Sequence, residues 1–67
     1  MHPSQEAILK FFEYSHLPDH LKEVSKPCGD LAHQMMALCE NSAELTAGLR
    51  KLLEAKDCFV RARLEKK

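Results

Sequence analysis

The segment Phe11-Phe12-Glu13-Tyr14 sets three aromatic rings in four consecutive positions, and no helix can place all three on one face. Phe12 continues the apolar spacing of Ile8 and Leu9. Phe11 and Tyr14, three apart, are left as a second aromatic pair, open equally to a partner chain or to a flat ligand such as a nucleobase. A basic group, Arg61, Arg63, Lys66 and Lys67, ends the chain, where cations complement the negative end of a helix dipole. Arg61 and Arg63 lie further in, so one of them can clamp an anion as readily as it can pair with a surface carboxylate. Asp57 and Arg61 are four apart and read as a solvated helix pair rather than an acid–base couple.

His16 and His20 have a spacing that binds metal on a continuous helix, but Pro18 stands between them and no Glu completes a zincin pattern. His33 and Cys39, six apart, fall on different helix faces and read as ordinary helix residues, so no metal site is expected. Nucleophilic catalysis needs a Cys or Ser, a His held by a third group, and a cleft that excludes water. A hairpin of this size has no room for such a cleft, so the expectation is a protein that is not an enzyme and carries no cofactor.

These residues need elements to hold them. The chain has 67 residues, 45% apolar and 30% charged, with ten basic side chains balancing ten acidic ones. That is the composition of one folded domain over 1–67, not of a disordered chain. A domain below ~70–80 residues rarely buries enough apolar surface to stand alone. Zero net charge gives no field that would draw duplex nucleic acid or an anionic membrane, so any anion must be small and met locally. Cys28, Cys39 and Cys58 are odd in number and lack CxxC spacing, which points to a reducing compartment, the cytoplasm. No leader-like or bilayer-spanning apolar run is present.

The pattern is helical throughout. Pro3 or Ser4 opens a first helix of about three turns that Pro18 ends near Leu17. The series Leu17, Leu21, Val24, Cys28, Leu31, Met35, Leu38 then steps alternately by four and three, the seam of a packed helix. Pro27 and Gly29 fall inside this series and predict a kink or restart, with Ser25 capping a second piece that runs to about Asn41 and irregular backbone over Lys26–Asp30. Glu40-Asn41-Ser42 is the turn: Asn41 tolerates a left-handed conformation and Ser42 caps a last helix from Ala43. That helix carries Leu45, Leu49, Leu52 and Phe59 on one stripe, which sets Leu49 and Leu45 opposite Met35 and Leu38. Leu53, Val60 and Leu64 make a second stripe. The fold class is therefore all-α: a short N-terminal helix, a kinked helix and a long C-terminal helix in an antiparallel hairpin. Two apolar stripes on one helix exceed what one partner covers, so the hairpin is expected to oligomerise.

Phe12-Glu13-Tyr14-Ser15-His16-Leu17-Pro18, then Val24-Ser25-Lys26-Pro27, Leu31-Ala32, and Leu52 to Ala62 (LLEAKDCFVRA) together resemble the phage anti-CBASS cyclic-nucleotide sponges, whose hairpin module is shared with Thoeris anti-defence sponges. The resemblance covers nearly the whole chain, and its last segment is the most specific. It implies a hexamer in the host cell cytoplasm that binds cyclic oligonucleotide messengers without hydrolysing them, and so blocks antiviral signalling. It further implies that Phe11 stacks on a base of a cyclic dinucleotide, that Lys26 meets its phosphate and that Tyr14 lines the site. Cys28, Arg61 and Ala62 match a second pocket, for cyclic trinucleotides. The competing reading is a structural or adaptor hairpin whose aromatics and basic end contact another protein.

Overall fold

A computed structural model describes the backbone of residues 3–65 and the side chains of residues 5–65. Ser4 as a capping side chain, and Lys66 and Lys67 of the basic end, lie outside the described residues. Three helices follow one another: α1 (Pro3–Lys10), α2 (Asp19–Leu38) and α3 (Ala43–Glu65). Proline suits the first position of α1, because its missing N–H would have had no partner there.

The first helix is shorter than the spacing predicts. At its end the hydrogen bonds tighten, with Phe11 N donating to Ile8 O at 3.0 Å and Phe12 N to Leu9 O at 3.0 Å, three residues back instead of four. The chain then leaves the helix, so Phe11 and Tyr14 belong to a turn-rich linker and are not a pair on one helix face. Pro18 does not end a helix; it precedes one, and its carbonyl accepts from both Leu21 N and Lys22 N at 3.0 Å.

α2 runs through Pro27 as one helix of 20 residues. The expected restart at Ser25 does not occur, and Ser25 is an interior residue whose hydroxyl is buried. Proline at this position lacks the N–H for one helix bond, a defect that costs about 3 kcal/mol in an ordinary helix and that packing must offset. The turn after α2 also differs in detail. Cys39 is extended (φ −107°, ψ 148°), and no described non-glycine residue has positive φ, so Asn41 is not left-handed. Its side chain serves instead, with Asn41 Oδ1 accepting from Gln5 Nε2 at 2.6 Å. Ser42 caps α3 as expected: its Oγ accepts from Leu45 N at 3.2 Å.

α2 and α3 are antiparallel. Arg63, late in α3, donates to Glu23 Oε2, early in α2, at 2.6 Å, while Ala32 meets Leu45 and Leu49 at the other end. The core is Ile8, Phe12, Ala32, Leu45 and Leu49, with Leu9, Cys28, Met36, Leu52 and Leu53 packed around it. α1 packs on α3, and Leu53, one member of the second stripe, is packed against the core. The anchor of α1 is Gln5, fully buried and donating also to Thr46 Oγ1 at 3.2 Å.

The buried face of α2 is Leu21, Ser25, Gly29 and Ala32, a line of mostly small residues beside the expected seam. Small residues let the linker come close: a Cβ on Gly29 would stand 3.2 Å from Phe12 O. Leu21 of the expected seam is buried, but its later members turn toward solvent, leaving Leu31 and Leu38 exposed and Met35 half-buried. Met35 lines, with Leu45 and Leu49, a groove between the helices, and Leu38, 70% exposed, does not line it.

Candidate functional site

The linker and the second half of α3 enclose a cleft of about 300 Å³. Its rim and walls are Lys10, Phe11, Glu13, His16 and Leu17 from the end of α1 and the linker, Ser25 from α2, and Lys56, Asp57, Val60 and Arg61 from α3. The tightened end of α1 makes this possible by turning Phe12 into the core and leaving Phe11 65% exposed at the mouth. The volume is at the lower end of ligand pockets.

Polar groups in the cleft are unevenly engaged. Lys56 Nζ lies 3.0 Å from Asp57 Oδ1, and its side chain is only 13% exposed. Asp57 thus pairs with its neighbour, not with Arg61 as its spacing suggested. Arg61 donates from an Nη to Cys58 Sγ at 3.3 Å, a weak acceptor that leaves most of the guanidinium free for an anion. Ser25 Oγ is buried without a hydrogen-bond partner. Next to it on α2, burial pushes the Cys28 thiol pKa up, and the positive charge of Lys56 pulls it partly back. Lys10, Lys56 and Arg61 outnumber Glu13 and Asp57, so a small anion entering here meets a net positive site.

The residues expected to form two pockets are distributed differently. Phe11 and Arg61, assigned to separate pockets, line this one cleft, whereas Cys28 and Ala62 do not. Lys26 is exposed and its Nζ donates to Asp30 Oδ2 at 2.8 Å, a contact that raises its pKa with further help from Tyr14. Tyr14 lines a separate cleft of about 290 Å³ with Phe12, Gly29, Asp30 and His33. Lys26 does not line the cleft that Phe11 lines. Of the residues that do share it with Phe11, Ser25 was expected as a helix cap only, and Lys56 was not singled out from the sequence. The signal for Lys56 was there: a lysine in the series Leu45, Leu49, Leu52, Lys56, Phe59 sits on an apolar stripe and must bury its stem.

His16 lies in the linker and His20 in the first turn of α2, so they do not share a helix, and among the described residues no group of three or more His, Cys, Asp or Glu could hold a metal ion. No described helix is long and apolar enough to cross a membrane. Comparison of the chain with protein-family models, with curated proteins and with solved structures returned no match.

Proposed function

We propose that this protein binds cyclic oligonucleotide messengers and holds them without cleavage, removing them from bacterial antiviral signalling. One observation carries the reading: an exposed aromatic ring, Phe11, shares a cleft with Lys10, Lys56 and Arg61. A ring stacks on any base, at about 1–3 kcal/mol per base, and cations meet the phosphates. The resemblance of the sequence to anti-CBASS sponges supports the same ligand class. A cleft of about 300 Å³ suits part of a cyclic dinucleotide, and the approximate two-fold symmetry of that ligand suits a site repeated on a second copy. In such an assembly, a hexamer by the same resemblance, Lys26 and Tyr14 of one copy are available to a ligand stacked on Phe11 of another. Cys28, Arg61 and Ala62 serve a trinucleotide pocket in that arrangement.

The test is a thermal shift with a panel of cyclic di- and trinucleotides, followed by heat release and chromatography of the ligand. A raised melting temperature and intact ligand are expected. Absence of any shift refutes the binding, and recovery of linear product refutes sequestration. A second reading has an observation of its own. The groove lined by Leu31, Met35, Leu45, Gly48, Leu49 and Leu52 is apolar and open, as an adaptor hairpin that receives a partner helix requires. An adaptor gives no shift with nucleotides.

A further inference from the structure

Two features of the cleft are unexplained by folding alone. Ser25 is 1% exposed and its Oγ has no partner, although a buried hydroxyl left unpaired destabilises a fold. Alanine would serve the close packing of α2 as well and without that penalty. Lys56 is the second feature. An ammonium has three donors, and Asp57 Oδ1 accounts for one of them. Lys56, from α3, lines the same cleft as Ser25, from α2. The cleft is thus lined by an orphan hydroxyl, a cation with spare donors and an exposed ring.

We propose that Ser25 and Lys56 form the polar floor of this cleft and together take a phosphodiester oxygen of the nucleotide whose base lies on Phe11. This rests on the nucleotide-binding reading above and adds to the contact that resemblance gives Lys26 of another copy. Within its own chain Lys26 donates to Asp30 at 2.8 Å and does not line the cleft. A phosphodiester oxygen supplies both missing partners at once: it accepts from the serine hydroxyl and from a free ammonium hydrogen, and its charge balances a lysine that is mostly withdrawn from water.

The experiment is isothermal titration of the full chain with cyclic di-AMP, cyclic di-GMP and cyclic GMP–AMP, alongside thermal melts without ligand. For whichever of these binds the parent, Ser25→Ala and Lys56→Gln each weaken binding about tenfold or more. Ser25→Ala is the sharper variant, because removing an orphan hydroxyl leaves the melting temperature unchanged or higher while affinity falls. A structural serine would move the two together or move neither. Full affinity in both Ser25→Ala and Lys56→Gln, with the parent binding normally, overturns this inference and leaves the nucleotide reading intact. A parent that binds none of the three overturns both.

Discussion

Phe11 and Phe12 are adjacent and end in opposite environments, 65% and 2% exposed. That division is legible from helical spacing, because Ile8 and Leu9 leave room for only one of the two in the core. What spacing does not give is the linker conformation that separates Phe11 from Tyr14, since turn geometry is set by contacts with α2 that are distant in sequence. The cysteines show the same limit: their number and spacing argue against disulfides, but not which thiol is shielded. Cys39 and Cys58 are exposed and Cys28 is half-buried against the core. With a disulfide-exchange reagent at neutral pH, two thiols should react quickly and Cys28 slowly, because its raised pKa leaves less thiolate and its burial less access. Three equally fast thiols would contradict the packing. The same shift has a consequence for stability. The folded thiol keeps its proton to higher pH than the unfolded one, so its contribution is fully present below the ordinary thiol pKa of about 8.5 and is lost as pH rises above it. Cys28→Ala should therefore lose less melting temperature than the parent between neutral and alkaline pH.

Among the elements, α1 opens at Pro3 as its sequence suggests, and the start of α3 is legible because its cap is local: Ser42 and Leu45 are three residues apart and need nothing else. The buried face of α2 follows the predicted seam at Leu21 and from there on lies one position away from it. Its larger apolar residues trace a regular series, but the linker requires close approach, so Ser25, Gly29 and Ala32 take the buried face and the later bulky ones move aside. Volume, not hydrophobicity, chose the face, and volume is visible only once the partner is known. The two glycines test this directly. A Cβ added to Gly48 would meet nothing within 4 Å, whereas one added to Gly29 would stand 3.2 Å from Phe12 O. Gly48→Ala should therefore gain the full helix-propensity difference, about 0.5–1 kcal/mol or several degrees in melting temperature for a domain of this size. Gly29→Ala has the same propensity gain set against a backbone oxygen and should be less stable than Gly48→Ala, with the linker around Phe12 losing amide protection. Equal gains at both sites would show that the linker does not press on α2.

The whole molecule is a rod, 40 × 19 × 18 Å, with a radius of gyration of 12.3 Å where a compact chain of this length has about 11 Å. Its accessible surface, 4856 Å², exceeds the roughly 4300 Å² of a typical 7.7 kDa monomer. A rod with a small core leaves apolar residues outside: Leu31, Leu38, Phe59 and Leu64 are 41–70% exposed, as is Phe11. This shortage is legible in the chain length and in the second stripe on α3, although Leu53 packs against the core and the main stripe contributes Phe59 instead. Self-association is the expected outcome, and light scattering at micromolar concentration should give a discrete mass above 7.7 kDa. The exposed residues do not all belong to one surface, and that permits a separation. Leu31 lines the apolar groove between α2 and α3, while Phe11 stands at the mouth of the polar cleft beside Lys10 and Arg61. Placing a carboxylate on the groove, Leu31→Glu, should lower the assembly mass, because a charge buried in an apolar contact without a partner costs several kcal/mol. Phe11→Ala should keep the mass and weaken cyclic dinucleotide binding, by about 1–3 kcal/mol for each base unstacked. If Phe11→Ala instead dissolves the assembly while Leu31→Glu leaves it whole, the ring is a subunit contact, and the ligand cleft drawn around it is misplaced.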